Sequence, residues 1–126
     1  MKAIKIPVNG EIDIIDVPDS EKSKGDFLHA CQSHVGGLVE IVRPRLLYSI
    51  TMMPPTACML CNEDFIAKRM PINRRATELY GAHSICGDIL IVDQIRTPDG
   101  YDITGFGNIA AEAICFTMKN RFKGRS

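Results

Sequence analysis

The chain has 126 residues, 45% of them hydrophobic and 24% charged, which fits one ordinary globular domain and excludes a disordered or collagen-like chain. Fifteen Lys and Arg balance fifteen Asp and Glu, so the net charge is zero; a dedicated DNA coater needs a basic excess, whereas a chain without net repulsion self-associates easily. Five Cys, an odd number, and the opening MKAIKIPVNG, which lacks a long apolar run, argue against a secreted disulfide scaffold. No apolar run approaches the roughly 18 residues of a membrane span, so a cytoplasmic protein is expected.

Residues 3–8 (AIKIPV) alternate and are β-branched, as a strand requires. Asn9-Gly10 follows, the strongest short hairpin signal because a type I′ turn needs positive φ at both central positions. Residues 11–17 (EIDIIDV) then read as the returning strand, stopped by Pro18. Residues 20–34 read as a helix capped by Ser20 or Ser23. Its apolar stripe holds Phe27, Leu28, Cys31 and Val35, and Gly36-Gly37 closes it. Residues 38–42 (LVEIV) form a strand. In the stretch 43–56, LLYSITMM is able to extend a strand, and Pro54-Pro55 breaks it. Residues 57–62 (ACMLCN) read as an apolar strand, 62–64 as a turn, and 65–68 (FIAK) as a short strand. Asn73 opens a helix, RRATELY, closed by Gly81. Residues 85–92 (ICGDILIV) are a buried strand, 97–100 a turn, and 108–121 a helix capped by Asn108, with Lys119 and Arg121 suiting its negative end. A hairpin followed by mostly antiparallel strands and two to three helices makes one α+β domain over residues 1–126.

Cys58-x-x-Cys61 has the spacing of half a zinc site, and His29, Cys31, His34, His83 and Cys86 offer further donors. The inner residues Met59 and Leu60 are apolar, no second C-x-x-C exists, and the other Cys lie on apolar stretches where inert thiols belong. No metal and no cofactor are expected. G-x-S-x-G, a Walker loop and G-x-G-x-x-G are all absent. The carboxylates Glu63-Asp64 fall in a turn, and Gly105-Phe106-Gly107 reads as a flexible pair of glycines.

Met70-Pro71-Ile72-Asn73-Arg74-Arg75-Ala76 carries more. Arg74 and Arg75 occupy a helix's first turn, where cations oppose the dipole. Together with the free N–H groups there, they make a site for phosphate or carboxylate, with Arg69 or Lys68 able to reach in. The competing reading pairs Arg74 with Glu78 at i,i+4 and leaves Arg75 in solvent. Leu46, Leu47, Tyr48, Ile50, Met52 and Met53 form an apolar stretch that either completes the core or marks an interface between copies.

The chain resembles a domain-of-unknown-function family of short bacteriophage, prophage and mobile-element proteins. The resemblance rests on MKAIKIPVNG, Val35-Gly36-Gly37 with LVEIV, Cys61-Asn62-Glu63, the run 71–77 with Leu79-Tyr80-Gly81, and Gly87-Asp88-Ile89-Leu90-Ile91-Val92, over roughly residues 1–106. That family has no settled catalytic role and so lends no catalytic residue; the resemblance implies an accessory protein, one that counters host defences by binding something. The combined expectation is a non-catalytic protein that captures an anionic, nucleotide-like small molecule through Asn73, Arg74, Arg75 and Arg69, or blocks a host protein. A nucleic-acid-associated regulator using Arg43, Arg45, Arg69, Arg74 and Arg75 is the alternative, and a small enzyme the third.

Overall fold

Six strands form one sheet in the computed structural model, which describes residues 1–43, 45–50 and 53–124. In chain order the elements are β1 (Lys2–Ile6), β2 (Asp13–Asp16), α1 (Lys24–Val35), β3 (Val39–Val42), a 3-10 turn (Leu46–Ser49), β4 (Cys58–Asn62), α2 (Arg74–Tyr80), β5 (Ile89–Thr97), β6 (Gly100–Thr104) and α3 (Asn108–Arg121). The sheet runs β2-β1-β5-β4-β3, with β6 also paired to β5, and every ladder is antiparallel. The fold is the expected α+β domain.

Both faces of the sheet are covered, which explains the unbroken apolar runs of its central strands. Side chains alternate across a strand, so Cys58, Leu60, Leu90 and Val92 meet Phe27, Cys31 and Val35 of α1 on one face. Met59, Cys61, Ile89 and Ile91 join Ile4 and Ile6 on the other, under α2, α3 and the 3-10 turn. Every residue of β4 is buried.

Helix ends follow local chemistry. The Ser23 hydroxyl caps α1 by accepting from the Asp26 N–H, and Gly36 closes it by donating to the Gln32 carbonyl. The cap of α3 is Gly107 rather than Asn108, and no side chain bonds there. Asn108 is already helical, because β6 runs into the helix through a close contact that fixes the entry point. A Cβ on Gly105 would lie 2.7 Å from the Met1 Cβ and 2.9 Å from the Lys2 carbonyl oxygen. Gly105 is therefore a packing glycine, not a flexible one: it lets Phe106 exchange backbone hydrogen bonds with Lys2 at 2.9 and 2.7 Å.

Three further expectations are corrected. The N-terminal hairpin exists, but its register pairs Lys5 with Asp13 and Lys2 with Asp16. Pairing with β2 stops at Lys5, so the chain between the strands forms a wider loop in place of a two-residue turn. Pro7 has no N–H for the ladder, and Gly10 takes φ +105° within the loop. Residues 65–68 are turn, not strand, because Lys68 and Met70 donate to the carbonyls of Asp64 and Phe65 and coil the segment on itself. Residues 46–49 form a 3-10 turn rather than a strand extension, with Leu47 and Ile50 in the core and Leu46 and Tyr48 exposed. Met52 lies outside the described residues.

Candidate functional site

The run 71–77 is bonded to the start of β5 along its length. The Gly87 N–H donates to the Pro71 carbonyl, and the Asn73 N–H to the Ile85 carbonyl, both at 2.8 Å. The Thr77 hydroxyl both donates to and accepts from Ile85. Asn73 is fully buried and fully used. Its side-chain oxygen caps α2 at Ala76, and its amide donates to the carbonyls of Ile6 (2.9 Å) and Gly87 (3.0 Å). Asn73 thus ties α2, β1 and β5 together and keeps no donor for a ligand.

The two arginines after it part company. Arg74 is exposed, and Glu78 pairs with Arg121 of α3 at 3.8 Å instead of with Arg74. Arg75 turns inward with Ala76 and Leu79 and is only 4% exposed, so the reading that left it in solvent does not hold. Its Nη2 donates to the carbonyls of Pro7 (2.7 Å) and Gly10 (2.8 Å), the two shoulders of the β1–β2 loop. Its Nε–H has no acceptor, and no carboxylate pairs with it among the described residues. Burial pulls its pKa below the ordinary arginine value, yet a guanidinium stays charged. It is a desolvated cation held by carbonyl dipoles alone. Its two hydrogen bonds tie α2 to the β1–β2 loop.

Arg69 and Lys68 sit in the turn before α2. Arg69 is exposed at φ +53°, a backbone region costly for a side chain. Lys68 reaches away to the Gly36 carbonyl at the end of α1 (3.3 Å). The four residues named from sequence are thus one structural amide, one buried cation and two exposed cations. A seven-residue helix start does not gather them into a single pocket.

What the structure places beside Arg75 is a cleft of about 380 Å³. Residues 10–12 of the β1–β2 loop form one wall. The end of α3 and the turn after it form the other, through Lys119, Phe122, Lys123 and Gly124. Ile12 and Phe122 are buried apolar surfaces, while Glu11, Lys119 and Lys123 are exposed. None of these three charged side chains has an ion-pair partner among the described residues. Sequence reading assigned Lys119 to the helix dipole and did not single out Lys123. Their i,i+4 spacing was visible, but nothing in the sequence says that the end of α3 lies over the β1–β2 loop.

Elsewhere, Cys58 and Cys61 project to opposite faces of β4, so the pair cannot close on one ion. Burial pushes the thiols of Cys31 and Cys61 up to about 11 and that of Cys58 to about 12. No group of three metal-ligating side chains occurs among the described residues. One polar cluster lies under the end of α1: Lys5 Nζ is 3.1 Å from His34 Nδ1 and 3.7 Å from Asp88, whose other oxygen accepts the Val8 N–H. Desolvation, then the Lys5 charge, holds His34 below its ordinary pKa. No described helix is long and apolar enough to cross a membrane.

With this geometry in place, comparison assigns the chain. Residues 1–106 match the model of a domain of unknown function, DUF3846, and the protein belongs to that family. No curated protein and no solved structure matches it. The matched segment contains the whole sheet, α1, α2 and Arg75, and ends at Phe106, the residue that bridges Lys2.

Proposed function

We propose that the protein is a non-catalytic binding protein that captures an anionic small molecule in the cleft between the β1–β2 loop and the end of α3. The observation that carries this reading is Arg75, a nearly fully buried guanidinium without a counter-carboxylate among the described residues, beside an open cleft that also presents two lysines. A buried charge without a partner is costly, and an anion in the cleft supplies the missing counter-charge. The sequence resemblance extends the reading to an accessory protein of a bacteriophage or mobile element. Such a protein would act in the host cytoplasm and counter defence by sequestering a signal or blocking a host protein. Calorimetric titration with a panel of carboxylate and phosphate compounds tests the reading. Saturable binding of at least one of them, one per chain, is expected. Silence across the panel makes a host protein the better partner, and weak binding of nucleic acid alone, falling steeply with salt, makes a nucleic-acid regulator the better function.

A further inference from the structure

We infer that the ligand of this cleft is a phosphate monoester carrying a compact organic group, rather than a simple inorganic anion, a monocarboxylate or a polynucleotide. The inference rests on the proposed anion-capture reading and names its chemical class.

Charge comes first. Among the described residues that line the cleft, Arg75, Lys119 and Lys123 stand against the carboxylate of Glu11, and no ion pair joins any of the four. A monocarboxylate would leave most of that positive excess unanswered. A phosphate monoester carries about −1.5 to −2 at neutral pH and offers three acceptor oxygens, which suits one guanidinium and two flexible ammonium groups. Lys119 in the last turn of α3 and Lys123 just beyond the helix both line the cleft.

Size and surface come second. The cleft volume of about 380 Å³ falls within the roughly 300–1,000 Å³ typical of small-molecule sites and far exceeds the needs of a bare phosphate. Ile12 and Phe122 supply apolar wall, which binds the organic part and gives nothing to an inorganic ion. A polynucleotide needs basic groups spread along a track. Here they converge on one recess, Glu11 stands on the same rim, and the chain has no net positive charge.

The experiment compares four probes by calorimetry: adenosine 5′-monophosphate, adenosine, inorganic phosphate and a single-stranded oligonucleotide. The variant is Lys119→Ala with Lys123→Ala, two exposed positions whose loss leaves the Arg75–loop contacts untouched. The monophosphate is expected to bind at least tenfold more tightly than either adenosine or inorganic phosphate. The double variant is expected to lose at least tenfold in that affinity with an unchanged melting temperature. Equal affinity for phosphate and monophosphate keeps anion capture and overturns the organic group. Equal affinity for adenosine and monophosphate overturns the charge argument. A double variant that binds like the parent places the site elsewhere, and an oligonucleotide that outbinds the monophosphate at 150 mM salt overturns the compact ligand. If neither inorganic phosphate nor the monophosphate binds, and the carboxylate and phosphate panel is silent as well, the underlying capture reading itself fails.

Discussion

Asn73 and Gly87 are joined by a buried hydrogen bond of 3.0 Å, from the carboxamide of the residue that caps α2 to the carbonyl that precedes β5. The same amide holds Ile6, and its oxygen holds the Ala76 N–H. Replacing Asn73 with Ala removes a cap, typically about 1 kcal/mol, and strips two buried carbonyls of their donor, about 1–3 kcal/mol each. A loss on the order of 3 kcal/mol is expected in chemical denaturation. Asn73→Asp keeps the cap acceptor but sets a carboxylate against two carbonyls, so it should do no better. A midpoint shift worth less than about 1 kcal/mol for both variants would refute this account.

Arg75→Ala should loosen the β1–β2 loop more than the sheet. The carbonyls of Pro7 and Gly10 lose their shared donor, at a cost of about 1–3 kcal/mol that water in the neighbouring cleft reduces. Hydrogen exchange should rise at residues 8–12 while β4 and β5 keep their protection. Unchanged exchange in the loop would mean that the guanidinium does not restrain it.

These two neighbours show how far the sequence could be read. Asn73 as a cap and α2 between it and Gly81 came from propensity, spacing and turn chemistry, which are local properties; the strand read over 85–92 instead begins at Ile89 and runs on to Thr97 through its pairing with β6. Arg75 and Arg74 are adjacent and chemically identical. Which of them turns inward depends on where a loop 65 residues earlier docks, and no local pattern encodes that. The cleft shares this blindness, since its walls come from residues near 11 and near 122. The run 71–77 has a structural part of its own. Its residues bond to Ile85 and Gly87, so the pairing of that run with 87–92 reflects a folding unit, and ligand chemistry is not needed to explain it.

Gly105→Ala tests the close approach of β6 to β1. The added methyl meets backbone at 2.9 Å, and overpacking of this kind costs about 1–3 kcal/mol. Gly107→Ala is the control, since a Cβ there meets nothing within 4 Å. Comparable melting temperatures for the two variants would remove the argument.

Stability should fall on acidification through the histidine range. His34 is held below its ordinary pKa by burial and by Lys5, with Asp88 opposing. The unfolded chain therefore takes up the proton first. The contribution is fully present above about pH 6.5, the unfolded value, and is lost as pH drops toward the folded one. His34→Gln should flatten the melting temperature between pH 7 and pH 5.5 relative to the parent; parallel profiles would show that this contact does not sense pH.

Cys86 should react first among the five thiols. It is half-buried, while Cys31, Cys58, Cys61 and Cys115 are buried with raised pKa values that keep them protonated. Brief alkylation of the native protein at pH 7.5 should give one adduct by mass spectrometry, at Cys86. Early modification of Cys58 or Cys61 would contradict the buried placement of β4.

The bridge between Lys2 and Phe106 divides the protein's labour. The family segment is zipped shut at its own two ends, and α3 begins immediately beyond the seam. Arg75 of the cleft belongs to the closed segment, and the two lysines belong to the C-terminal residues outside it, Lys119 in α3 and Lys123 just after. The proposed site is therefore split across that seam, yet α3 is no separate part: its Ala111, Ile114, Cys115 and Met118 are buried in one core with Ile4 and Ile6 of β1. The exposed positions Lys119 and Lys123 are free to change without disturbing that core.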